Sequence, residues 1–78
     1  MNNEDDFFGD AKGYHIEVGS PPDYDEIVVY VCIGREEVAL VQKEGGEDKV
    51  QVEIFGETKV DYNVFLEALQ AAKEELLR

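Results

Sequence analysis

Ile27-Val28-Val29-Tyr30-Val31-Cys32-Ile33 is apolar at every position and rich in β-branched residues. Its length and composition are those of a strand covered on both faces, which places it at the centre of a sheet. Gly34-Arg35 follows as a short turn in which glycine can take positive φ, and Val38 to Gln42 returns as the next strand. On that returning strand Val38 and Leu40 share one face and Ala39 and Val41 the other. If Ile27, Val29, Val31 and Ile33 face a helix, then Val28, Tyr30, Cys32, Ala39 and Val41 are expected to form an apolar patch on the opposite side. Such a patch would mark a surface for a partner or for a second copy of the chain, as would an exposed sheet edge.

Working upstream, Tyr14, Ile16 and Val18 alternate with His15 and Glu17, the period of a strand with one buried face. Gly19, Ser20, Pro21, Pro22 and Asp23 end it, because two prolines without amide protons belong in a connector rather than in a ladder. Downstream, Lys43 to Asp48 is a polar, glycine-containing hairpin loop, and Val50, Val52 and Ile54 then alternate with Gln51, Glu53 and Phe55 as a fourth strand. After Gly56 the period changes from two to about 3.6. Asp61 stands where an N-cap accepts amide hydrogen bonds, and Phe65, Leu66, Leu69, Ala72 and Leu76 recur on one side of a helix expected over 62–77. Glu74 and Arg78 fall in the favourable i, i+4 order on its polar side. The pattern predicts an α+β fold: a four-stranded antiparallel β-meander with one C-terminal amphipathic helix packed on one face, ββββα. This single domain spans 13–78 and follows an acidic arm over 1–12, read as flexible, whose apolar content is Phe7 and Phe8.

The composition narrows the function classes. The chain has 78 residues, 19 Asp and Glu against 7 Lys and Arg, and a formal net charge of −12. That length leaves room for one core, and 44% hydrophobic residues in patterned blocks argue against disorder. One cysteine cannot form an internal disulfide, and neither a basic leader nor a long apolar run is present, so a reducing cytoplasm is the expected compartment. Negative charge of this size opposes direct binding to nucleic acid or to an anionic membrane, and points to a basic protein as partner.

No catalytic set emerges. Cys32 lies inside an apolar strand and reads as a small buried hydrophobe, while His15 occupies a polar strand position and reads as a surface residue, so no enzyme activity is expected. Asp5, Asp6, Asp23 and Asp25 lack calcium-loop spacing, and one His with one Cys is a weak zinc signature, so neither a metal nor another cofactor is expected. Gly45-Gly46 is flanked by Glu44, Glu47 and Asp48, which would repel a phosphate.

What remains is the distribution of charge. Residues 1–26 hold 8 acids and 1 base, residues 27–60 hold 7 and 4, and residues 61–78 hold 4 and 2. The connector Asp23-Tyr24-Asp25-Glu26 sets an aromatic among three carboxylates, a composition suited to anchoring and steering a basic partner. Glu36 and Glu37 add to this candidate surface, and Glu44, Glu47 and Asp48 form a second patch. In a simple meander the 23–26 connector and the 44–48 loop share one end, with 34–37 at the other.

The run Val31-Cys32-Ile33-Gly34-Arg35-Glu36-Glu37-Val38-Ala39-Leu40-Val41-Gln42-Lys43-Glu44-Gly45-Gly46-Glu47-Asp48, then Val50-Gln51-Val52-Glu53-Ile54-Phe55, then the helix from Val60-Asp61-Tyr62 to Leu76, resembles a family of short bacterial proteins. These are the immunity proteins of polymorphic and contact-dependent growth inhibition toxin systems. The resemblance covers about residues 27–77 and rests on a hairpin, an acidic glycine loop and a closing helix. It implies a cytoplasmic antitoxin acting through protein–protein interaction, with no functional residue carried over. The resulting expectation is an acidic inhibitor that neutralises a cognate basic toxin domain, a nuclease first of all, by steric and electrostatic occlusion. The alternatives are a phage or mobile-element DNA mimic that inhibits a host defence nuclease, and a small regulatory interaction module.

Overall fold

The computed structural model describes residues 13–78; the acidic arm expected over 1–12 lies outside the described residues. Strands β1 (His15–Gly19), β2 (Val28–Ile33), β3 (Glu36–Gln42) and β4 (Gln51–Ile54) precede the helix α1 (Tyr62–Leu76). They form one antiparallel sheet in the order β1-β2-β3-β4, with the helix against one face, so the expected ββββα meander is the fold. The seven-residue apolar run occupies the interior of the sheet, paired on both sides, and Val28, Val29 and Val31 are fully buried. Its first residue, Ile27, stays outside the strand and is exposed.

A single irregularity decides which side chains face the helix. From the turn, Ile33 pairs with Glu36 and Cys32 with Glu37, but Val31 pairs with Ala39 and Val29 with Val41. Val38 is therefore an extra residue, a β-bulge, and every residue after it changes face relative to an unbulged hairpin. Without it Ala39 and Val41 would share a face with Tyr30 and Val28, as the alternation alone predicts. With it they join Val29 and Val31 in the core beneath the helix, and Leu40 turns to the open side opposite Tyr30. The expected patch of Val28, Tyr30, Cys32, Ala39 and Val41 is thus not formed. Val38 itself enters the core, and its carbonyl accepts the Phe55 amide at 3.0 Å where β4 ends.

Asp61 caps α1 as its position predicts: its carboxylate accepts the Val64 amide at 3.0 Å. The helix buries Ala68, Ala72 and Leu76, a row at i, i+4, i+8, while Phe65 and Leu69 pack at its margin. Small residues in the middle of that row let the helix approach the sheet closely. It packs on β1, β2 and β3, so Leu66, expected in the buried stripe, is instead exposed on the flank nearest β4. Val18, on the buried face by alternation, is also exposed at the end of its edge strand. Arg78 pairs with Glu75 at 3.3 Å rather than with Glu74, whose carboxylate accepts from Gln70. Among the described residues no helix is long and apolar enough to cross a membrane.

Candidate functional site

The connector between β1 and β2 does not loop freely at the edge of the sheet. Pro22 presets the bend of a turn in which the Tyr24 amide donates to the Pro21 carbonyl at 3.2 Å. This directs the Tyr24 hydroxyl to the far side of the sheet, where it donates to Glu53 Oε1 on β4 at 2.6 Å. The chain then returns past the end of β3, where Glu44 receives two amides in one carboxylate: Asp25 N at 3.1 Å and Glu26 N at 2.8 Å. Residues 20–27 therefore form a strap that starts at one edge strand and touches the other.

A buried glutamine ties the two anchors together. Gln42, 6% exposed at the end of β3, donates through Nε2 to Glu53 Oε2 and to Gln51 Oε1, both at 3.2 Å, and its side-chain oxygen accepts the Glu44 amide at 2.8 Å. The amide thus uses both its donor and its acceptor ends, the condition under which a polar group is tolerated in an interior. Along the same side of the sheet Val28, Cys32 and Leu40 are also buried, so the face opposite the helix is a second, minor core rather than an apolar docking patch. We expect Gln42→Ala to lower stability by about 1–3 kcal/mol, because it strands the Glu44 amide and removes a donor from Glu53. Urea unfolding measures this, and an unchanged midpoint would contradict the clamp.

The tyrosine anchor carries an electrostatic signature. Its bond to the Glu53 carboxylate, with burial and the charges of Glu53 and Asp23 adding in the same sense, pushes the Tyr24 phenol up from 10.0 to about 12. A folded-state value above the unfolded one means that this contribution to stability is complete below pH 10 and is lost as pH rises through about 12. In a tyrosinate absorbance titration the Tyr24→Phe protein should lack a component near pH 12; an unaltered curve would place the phenol elsewhere.

Of the residues singled out from the sequence, Asp23, Tyr24, Asp25, Glu26, Glu44, Glu47 and Asp48 are brought together at one end of the sheet. Asp23, Asp25, Glu26, Glu47 and Asp48 are exposed there. Glu44 plays a different part, since its carboxylate is committed to the strap, and Glu47 has Lys43 at 3.9 Å. Glu36 and Glu37 lie at the opposite end, beside a shallow hollow of about 630 Å³ bordered by Arg35, Phe55 and Glu57. Glu53 and Gln42 were not legible as site residues, because their roles depend on contacts 29 and 11 positions apart in the chain.

An apolar groove does exist, on the helix side. Val41, Val50, Val52, Leu66 and Leu69 line about 280 Å³ between α1 and β4, with Val52 and Leu66 each more than two-fifths exposed. His15 also departs from expectation: it is half-buried, with Nε2 3.1 Å from Glu17 Oε2, and it pairs in register with Cys32. Burial, with the charges of Glu17 and Glu37 adding to it, pushes the Cys32 thiol up from 9.0 to about 11, so it is a neutral thiol at ordinary pH.

No family model, curated protein or solved structure matches this chain.

Proposed function

We propose that this protein is an acidic, immunity-type inhibitor that binds a basic toxin domain in the cytoplasm and occludes it, with a nuclease as the first candidate for that domain. The observation that carries the reading is the clamp of the strap by Glu44 and Glu53, which holds Asp23, Asp25 and Glu26 beside Glu47 and Asp48 at one end of the fold. Acidic loops on small soluble proteins are usually solvated and carry no message. Here the backbone of the acidic segment is hydrogen-bonded into place, so a partner meets an ordered carboxylate surface and loses less conformational freedom on binding. Complementary charge of this kind raises encounter rates, and the ordered array disfavours wrong partners.

The experiment is a growth assay. Expression of the toxin domain encoded beside this gene should arrest cells, and co-expression of this protein should restore growth through a complex that co-purifies. Failure to bind any neighbouring gene product, together with normal growth when the gene is deleted, would sink the proposal.

A further inference from the structure

The chain contains one histidine and one cysteine, and the fold sets them side by side. His15 on β1 is the register partner of Cys32 on β2, and Glu17, two residues along β1, projects from the same face. Their ligand atoms, an imidazole nitrogen, a carboxylate oxygen and the thiol sulfur, all lie within 4.8 Å of one another. On the face of the sheet opposite the helix, we infer that His15, Glu17 and Cys32 form a binding site for a divalent transition metal of the zinc class.

The donor set selects the cation. Thiolate with imidazole excludes magnesium and calcium, which take oxygen, and suits zinc or cobalt in tetrahedral geometry. Metal–ligand bonds of about 2.0–2.3 Å set tetrahedral ligand atoms roughly 3.3–3.8 Å apart. The present spread therefore has to tighten by at most about 1.5 Å, which side-chain rotation supplies. The His15–Glu17 contact is already 3.1 Å, and the cation would take the place of the hydrogen between them.

The surroundings complete the case. Glu37, the register partner of Cys32 on β3, flanks the sulfur from the other side, and its charge acts on the thiol together with that of Glu17. Binding proceeds as Cys–SH + M²⁺ → Cys–S–M⁺ + H⁺, with one proton released to solvent, while the imidazole binds neutral through Nε2 with its proton on Nδ1. Water fills the fourth position. The metal would then clasp the edge strand β1 to the central strand β2.

The test uses the full chain, reduced, titrated with Co²⁺ and then with Zn²⁺ in competition. The inference predicts a 1:1 complex with a thiolate-to-cobalt charge-transfer band, which Zn²⁺ abolishes and equimolar Mg²⁺ does not. His15→Gln, at a position outside the core beneath the helix, should weaken binding about 10–100-fold. Cys32→Ala should remove the charge-transfer band, with circular dichroism reporting that the sheet persists. Co²⁺ binding without that band, or binding of equal strength in His15→Gln, would assign the cation to the acidic surface and overturn the site.

Discussion

Replacing Leu76 by alanine should destabilise the protein by about 3 kcal/mol, within the range of roughly 2–5 measured for large-to-small changes in cores. Leu76 is 1% exposed and the largest of the fully buried side chains, and it is the last core residue of α1. The other two buried helix positions are Ala68 and Ala72, so the side chain that fixes the C-terminal half of the helix on the sheet is this leucine. A domain of 78 residues has a total stability of roughly 4–12 kcal/mol, at about 0.05–0.15 kcal/mol per residue, so the loss is a large share of the whole. Thermal unfolding should show a fall of more than about 10 °C. A shift of only a few degrees would mean that the last turn of α1 is not docked as described.

The second large effect concerns the partner. Reversing three charges together, Asp23→Lys, Asp25→Lys and Glu26→Lys, should slow association with the proposed toxin partner by on the order of 100-fold and abolish its neutralisation in cells. These side chains are exposed, and Glu44 holds the strap through the backbone amides of Asp25 and Glu26. The fold should therefore survive, and an unchanged unfolding midpoint is the control. Charge reversal at Glu36 and Glu37, at the opposite end, should have a much smaller effect on the same partner. If the triple variant still neutralises the toxin at wild-type levels, the acidic strap is a solvated loop and the interface lies elsewhere.

Much of the fold was legible because it rests on local signals. The all-apolar run could only be interior, the change of period after Gly56 marked the helix, and Asp61 stood at its N-cap with no competing candidate. What the sequence could not disclose depends on where one residue is inserted or on contacts between distant segments. The bulge at Val38 flips the face of all that follows it on β3, and nothing in Glu36-Glu37-Val38-Ala39 announces an extra residue. Leu66 fits the helical stripe by spacing, but the helix lies over β1 to β3, leaving that flank open.

The candidate site divides in the same way. Clustered acids in 23–26 and 44–48 were visible as composition, and the meander placed them at one end. That Glu44 is a clamp rather than a contact residue, and that Tyr24 is held by Glu53, follows from distances only the folded chain has. His15 and Cys32 were each too few to signal chemistry, and their register pairing is what makes them a set.

The most direct measurement is the association rate of this protein with the toxin domain proposed as its partner, as a function of ionic strength, followed by stopped flow. Between low salt, where the Debye length is about 30 Å, and 1 M, where it is about 3 Å, the rate should fall by roughly 10–1,000-fold while the dissociation rate changes little. An association rate insensitive to salt would contradict the claim that the clamped acidic end of the sheet is the surface that finds the partner.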